Sequence, residues 1–249
     1  MVHKGVQVAM VESGHTAESL AAEIGVDPKT AARWVSQGRI PQTRHRAKVA
    51  ELLGRDVLEL WPDVLRRKEP AWFRPWTEIE REATGLRCFE SVVIPGLLQT
   101  EAYARAVLAC GPLMADADDH VEARLRRCAG VFDRSRPPLS VFVIDEAALR
   151  RGEPEVMRPQ LDHLVAMAQR PTVMVHVLPL NAGLHPGQAG PFVIATTPDG
   201  DDVGYLDDQA AGRITSDVAP LWAVWDTVRS VALPRDQSID FLEERPWLT

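Results

Sequence analysis

The sequence predicts an α+β fold, in which an N-terminal all-α helix-turn-helix domain precedes a mixed α/β domain. Helix-forming patterns fill the first 60 residues, and no alternating strand pattern interrupts them. Beyond residue 85, short apolar runs alternate with longer amphipathic stretches, which is typical of strands interleaved with helices. We therefore place one domain at 1–62 and a second at 77–249, joined by a Trp/Pro-rich linker at 63–76.

The composition excludes several classes of protein. Apolar residues make up 45% and charged residues 25% of the 249 residues, as in ordinary folded domains. No apolar run approaches the ~20 residues that span a bilayer, and no secretory leader precedes the first helix. The three cysteines show no Cys-x-x-Cys spacing, which argues against a disulfide framework or a zinc site. We expect a cytoplasmic protein that needs no cofactor and no metal.

The charge is distributed unevenly between the two halves. The whole chain carries −7, but residues 1–68 hold 11 basic and 8 acidic residues, a net +3, which leaves −10 for the remainder. Between residues 29 and 48 there are basic residues and no acidic one. Such a local basic patch is what phosphate binding requires.

The first two predicted helices are joined by a short turn. Thr16 is a candidate cap for a helix that ends at Ile24, and Gly25 suits a turn with positive φ. Asp27 then caps a second helix that has Pro28 at its first position. Ala31, Trp34 and Val35 form the side of this second helix that we expect to be buried.

The opposite side of the second helix carries the candidate DNA-reading residues. In a helix-turn-helix, the N-terminal end of the second helix enters the major groove. Arg33 has the planar fork that binds guanine O6 and N7, and Lys29 can reach a base or a phosphate. Thr30 can contact a thymine methyl group or a phosphate.

A third helix is predicted from about Pro41 to Leu53, with Thr43 as its candidate cap and Ala47 among its buried residues. The basic residues at its start suit a clamp on backbone phosphates. The complete predicted DNA-binding set is Lys29, Thr30, Arg33, Arg39, Thr43, Arg44, Arg46 and Lys48.

Residues 3–61 resemble the Xre/Cro-type helix-turn-helix. The resemblance rests on Ser19-Leu20-Ala21, Gly25-Val26 and Trp34, followed by Ala50-Glu51-Leu52-Leu53-Gly54 at the end of the third helix. Residues 30–41 also look like the winged helix of MerR and excisionase proteins, which would place Arg39 on a wing hairpin. The helical pattern of residues 44–53 favours the Xre alternative.

The second domain is predicted to interleave strands and helices around a mixed sheet. The predicted strands are 86–94, 139–144, 172–178, 191–197 and 203–207, and the predicted helices are 100–110, 120–132, 155–169, 218–233 and 238–244. The helix at 218–233 is apolar on more than one face, which exceeds the single stripe of a surface helix. Its surplus apolar residues form our candidate dimer or partner surface, which consists of Leu221, Trp222, Trp225 and Val228.

Several polar residues of this domain are of types that can act as catalytic or metal-binding groups. Asp145-Glu146 follows a strand, but Asp145 is a natural helix cap. His163, His176 and His185 lack any familiar ligand spacing. The aspartates at 199–208 do not match a calcium loop, and no nucleophile or phosphate-loop motif occurs. We therefore expect a protein that is not an enzyme.

Residues from about 77 to 245 resemble the C-terminal domain of WhiJ-like actinobacterial regulators. The resemblance is carried by residues 94–106 (IPGLLQTEAYARA), 143–151 (VIDEAALRR), 177–180 (VLPL), 182–185 (AGLH) and 190–192 (GPF). It implies an Xre-type helix-turn-helix fused to an antitoxin-like (Scr-type) domain, often paired with a small protein encoded nearby. It supplies no catalytic residue.

Two functions therefore follow from the sequence. The first is a sequence-specific transcriptional regulator that binds double-stranded DNA as a homodimer, with a small protein partner or ligand acting on its C-terminal domain. The alternative is an antitoxin-like interaction module that masks a small partner and regulates its own operon. Neither function involves a membrane.

Overall fold

The computed structural model describes residues 4–36, 39, 41, 43–55, 57–61, 73–110, 117–207, 212–245 and 247–248. The chain divides into two compact units, Met1–Lys68 and Glu69–Thr249. The first unit contains helices only in its described part, and the second contains a six-stranded mixed sheet with helices. The α+β class predicted from the sequence is therefore confirmed.

The first unit is built from short helices. They are α1 (Lys4–Ser13), α2 (Ala17–Ile24), α3 (Pro28–Ser36), α4 (Thr43–Leu53) and α5 (Val57–Leu60). Apolar side chains from all five helices meet in one core, and this core contains Trp34 and Trp61, whose exposed fractions are 5% and 0%. Two large aromatic residues give this small unit much of the apolar burial that a short chain needs.

The second unit alternates helices and strands, as the sequence predicts. Its elements are α6 (Arg74–Glu82), β1 (Gly85–Glu90), α7 (Glu101–Ala109), α8 (Ala117–Phe132), β2 (Leu139–Asp145), α9 (Glu146–Leu149), α10 (Pro154–Ala168), β3 (Val173–Leu178), β4 (Phe192–Thr196), β5 (Asp202–Leu206), β6 (Arg213–Thr215), α11 (Ala219–Val231) and α12 (Arg235–Glu244). Short 3-10 turns occur at Gly96–Leu98, Leu180–Ala182 and Pro186–Ala189.

The sheet has the strand order β3-β2-β1-β4-β5-β6. β1, β2 and β3 run parallel, whereas β4 pairs antiparallel with β1 and is followed by antiparallel β5 and β6. Because neighbouring residues of a strand point to opposite faces, Phe142 and Val143 of β2 belong to different apolar clusters. The sheet is thus covered on both faces, by α10 and α12 on one side and by α11 on the other.

The structure differs from the sequence predictions at the ends of two elements and in one additional strand. β1 ends at Glu90 rather than at Ile94, and the backbone N–H of Ile94 donates to the Tyr103 hydroxyl at 3.1 Å. β6 was not predicted, because three residues carry too little periodicity. α6 begins inside the predicted linker, and its Trp76 stacks on Tyr205 with ring centroids 4.9 Å apart. Linker residues 63–72 lie outside the described part of the chain.

Candidate functional site

The turn between α2 and α3 has the chemistry that its residues predict. The Thr16 side chain accepts a hydrogen bond from the Ser19 backbone N–H, and Gly25 ends α2 with φ +82°. The Asp27 carboxylate accepts the Lys29 backbone N–H at 2.8 Å and so caps α3, in which Pro28 is the first residue. These local bonds fix where α3 begins and leave its N-terminal end at the surface.

The exposed side of α3 carries two cations. Lys29 and Arg33 are four residues apart, so they share one face of the helix, and both are exposed. Neither makes an ion pair with any side chain in the described part of the chain. Thr30 is half-buried beside them, while Ala31 and Trp34 are buried on the inner face. The cationic face of α3 is therefore available to an external anion.

Part of the phosphate clamp predicted around the third helix is exposed, and another part is buried. Lys48 and Arg39 are exposed, but Arg46 is buried, with only 5% of its surface accessible. α4 is rotated relative to the prediction, because Val49, Ala50 and Leu53 face the core and Arg46 precedes them by one turn, while Ala47 is exposed. Arg46 therefore cannot serve as a surface contact to DNA.

Thr43 and Arg44, the remaining members of the predicted DNA-binding set, lie at the start of α4. The backbone of Thr43 and Arg44 forms the first turn of α4, but their side chains lie outside the described residues. Since 43–53 form a helix, and the described residues around Arg39 contain no strand, the wing hairpin of the alternative prediction is not found there.

The candidate dimer or partner surface on α11 is wrong for three of its four residues. Leu221, Trp225 and Val228 are buried in the apolar cluster that covers one face of the sheet. Trp222 is half-buried, and its indole N–H donates to an Asp202 carboxylate oxygen at 3.0 Å. The surplus apolar residues of this helix are therefore core residues of the domain itself.

Asp145 acts as the predicted cap and also contacts a histidine. Its Oδ1 accepts the Ala147 backbone N–H at 2.8 Å, and its Oδ2 lies 3.3 Å from His185 Nε2. Both carboxylate oxygens are thus engaged in holding local structure, namely the start of α9 and the loop that carries His185. His176 is buried, with its Nδ1 3.0 Å from the Leu233 carbonyl oxygen. No group of metal-ligating side chains occurs among the described residues.

A cavity of about 330 Å³ opens in the second unit between α6, α8 and the sheet. One wall is aromatic and is formed by Phe73, Trp76 and Tyr205, whose rings contact one another. The cavity also contains charged groups, among them Glu90 at the end of β1 and Arg124 on α8. An apolar cavity with a few convergent polar groups is the usual form of a small-molecule site.

The cavity's polar side chains are held in different ways. Arg127 lies 3.1 Å from the Glu80 carboxylate, with its guanidinium 5.0 Å above the Phe73 ring. Arg124 donates to Gln99 Oε1 at 2.6 Å, and the Gln99 amide in turn donates to a backbone carbonyl. Glu90 makes no hydrogen bond or ion pair with any side chain in the described part of the chain.

Burial perturbs the ionisation of two of these groups. Desolvation, reinforced by the charge of Asp207, raises the pKa of Glu90 to about 8. Desolvation, reinforced by the positive charge of Arg127, lowers the pKa of Arg124 to about 10. Each group therefore lies in an environment that disfavours its charged form.

A family model matches residues 73–244, which is more than two thirds of the chain, and its description reads "Domain of unknown function (DUF5753)". The chain belongs to the DUF5753 family. No curated protein and no solved structure matches the chain. The DUF5753 region coincides with the second unit from α6 to α12 and contains the whole cavity.

Sequence reasoning missed the cavity of the DUF5753 domain entirely. Glu90 and Arg124 are 34 positions apart and belong to no recognisable motif. Only the packing of α8 against α6, α7 and the 3-10 turn at Gly96–Leu98 brings Arg124 to the cavity that Glu90 lines, and nothing local in the sequence indicates that packing. The description of the DUF5753 family assigns these residues no role.

Proposed function

We propose that the chain is a sequence-specific DNA-binding transcriptional regulator of the cytoplasm. Helix α3 lies in the major groove, and the DUF5753 domain controls binding through a ligand or a small protein partner. The observation that carries the proposal is the exposed face of α3, where Lys29 and Arg33 lie next to each other without a described acidic partner. The proposal assigns the chain no reaction.

The geometry of α3 favours a groove over a flat surface. Its N-terminal end is exposed, and Lys29 at this end can contact a phosphate. Arg33 lies one turn further along the same face, where its guanidinium can reach base edges. Lys48 on α4 and Arg39 before it supply additional exposed cations for the DNA backbone.

The proposal includes a homodimer that binds two half-sites about one helical turn apart. A single module of this size binds DNA weakly, and two copies joined in one complex combine their contacts. Of the four α11 residues that we predicted for this contact, three are buried and Trp222 is half-buried, so the dimer contact is left without assigned residues.

The test begins with selection of preferred sites from random duplex DNA, followed by fluorescence anisotropy on the selected and a scrambled duplex. We expect tight binding to the selected site, and we expect Arg33→Ala to bring the two affinities together. Arg126→Ala is the matched control, since Arg126 is an exposed arginine of the second unit. Wild-type protein that fails to enrich any sequence, or that binds both duplexes equally, would contradict the proposal.

A further inference from the structure

Five described charged groups line the cavity, namely a compensated pair, two uncompensated residues and Asp207. Arg127 and Glu80 neutralise each other at 3.1 Å. Arg124 has a neutral partner, Gln99, and forms no ion pair within the described part of the chain. Glu90 lacks a described polar partner altogether. Uncompensated charges in a desolvated cavity are costly, and a ligand of complementary charge removes that cost.

The two uncompensated residues define a negative and a positive end. Among the charged groups around Glu90, the one with the largest effect is another carboxylate, Asp207. Among those around Arg124, it is another guanidinium, that of Arg127. Glu90 and Arg124 line the same cavity without forming an ion pair with each other, although the charge of each influences the ionisation of the other.

The complement of such a cavity is a small zwitterion with an apolar part. The ammonium group of the ligand would pair with Glu90 and its carboxylate with Arg124, in the bidentate manner that guanidinium favours. The wall formed by Phe73, Trp76 and Tyr205 suits an aromatic or large aliphatic group. The volume of about 330 Å³ is near the lower limit for ligand pockets, which favours a small metabolite over a peptide or nucleotide.

We propose that this cavity binds a free α-amino acid with a large apolar or aromatic side chain, with its ammonium group at Glu90 and its carboxylate at Arg124. This inference goes beyond DNA binding, and it holds whether or not the first unit binds DNA. If both proposals are correct, the amino acid is the effector that the DUF5753 domain senses.

The pH dependence of binding follows from the groups around Glu90. Its carboxyl group is influenced by Asp207, Arg124 and Arg127, and it in turn influences Cys88 and Tyr103. Because the pKa of Glu90 is about 8 in the empty cavity, an ammonium group that ionises Glu90 releases a proton at pH 7. Affinity for the amino acid is therefore expected to rise between pH 6 and pH 8. The proton release on binding should disappear above the pKa of Glu90, where its carboxyl group is already ionised before the ligand binds.

The binding test uses isothermal titration calorimetry on the full chain. The probes are L-phenylalanine and L-leucine, together with phenethylamine, which lacks the carboxylate, and 3-phenylpropionate, which lacks the ammonium group. We expect the amino acids to bind, and each half-analogue to bind about tenfold or more weakly, as expected for the loss of a charge-assisted hydrogen bond. Repeating the titration at pH 7 in buffers of different ionisation enthalpy measures the proton release.

The variants assign each end of the ligand. Glu90→Gln removes the partner of the ammonium group, so it is expected to bind L-phenylalanine and 3-phenylpropionate equally, without proton release. Arg124→Gln removes the partner of the carboxylate, so it is expected to bind L-phenylalanine and phenethylamine equally. Arg126→Gln, an exposed arginine on the same helix, should behave as wild type. Circular dichroism checks that each variant is folded. The proposal is overturned if the folded wild type binds neither amino acid at millimolar concentration, if a half-analogue binds as tightly as the amino acid, or if both variants keep the wild-type preferences.

Discussion

Removal of exposed cations from the DNA-binding surface should change the salt dependence of binding by a calculable amount. Four described cations of this surface are exposed, namely Lys29, Arg33, Arg39 and Lys48. For double-stranded DNA the logarithm of affinity falls with the logarithm of salt concentration, with a slope of about −0.9 per phosphate neutralised. Arg33 is assigned to a base, so if Lys29, Arg39 and Lys48 each contact one phosphate, the slope is about −2.7 for one copy of the chain and about −5.4 for a dimer.

These slopes correspond to large and easily separated effects. Between 50 and 200 mM salt, affinity should fall about 40-fold for one copy and about 1,800-fold for two. Lys48→Ala should make the slope shallower by about 1 for each copy bound and should weaken all duplexes alike. Arg33→Ala should instead cost about 1–3 kcal/mol on the preferred site and little on a scrambled one, because a base contact is lost.

The assay is fluorescence anisotropy of labelled duplexes over a series of salt concentrations. The DNA length is kept fixed, and Arg126→Ala serves as the control, since its charge lies on the second unit. An affinity that hardly changes with salt would exclude the phosphate mechanism. Equal losses on both duplexes for Arg33→Ala and Lys48→Ala would contradict the separate roles assigned to these residues.

Three further predictions concern stability, each measured by urea unfolding of the full chain followed by circular dichroism. Trp34→Ala should lower the free energy of unfolding of the first unit by about 3–5 kcal/mol, because the ring of Trp34 is buried in the core. A loss below about 1 kcal/mol would contradict that burial. Gly25→Ala should destabilise that unit by about 1–2 kcal/mol, since φ is +82° at this position and a residue with a Cβ is strained there. As a control, Gly130→Ala within helix α8 should stabilise the second unit slightly. Similar effects at both positions would contradict the backbone strain expected at position 25. The raised pKa of Glu90 means that the folded state holds a proton that the unfolded state releases between about pH 4.3 and pH 8, so stability should fall as pH rises through this window. Glu90→Gln should lose less stability than wild type over that window, and identical pH profiles would exclude a protonated Glu90.

Local chemistry was sufficient to predict the caps and turns of this chain. As caps, Thr16, Gly25 and Asp145 each bond within four residues of their own position, so the sequence around them contains the partners that capping needs. The alternation of helices and strands was likewise predictable, because hydrophobic periodicity is a local property. The end of β1 was predicted four residues too late, because the apolar residues that follow it, such as Ile94, are buried outside the sheet.

The side of a helix that is buried was harder to predict. In α4 the small Ala47 and Ala50 are equivalent in the sequence, and only the packing of neighbouring helices buries the second and exposes the first. The long apolar stem of Arg46 then fills space on the inner side. In α11, Leu221 and Trp225 predicted an interface with another molecule. Both faces of the sheet are apolar, however, and these two residues pack against one of them.

The most direct test of the central claim is methylation interference on the selected DNA site. Guanine N7 lies in the major groove, so its methylation blocks a side chain that reads that groove. We predict interference at one or more guanines in each half-site, and we predict that Arg33→Ala removes the interference at one position of each. Binding that tolerates methylation of every guanine N7, or a pattern that Arg33→Ala leaves unchanged, would contradict the claim that α3 reads DNA in the major groove.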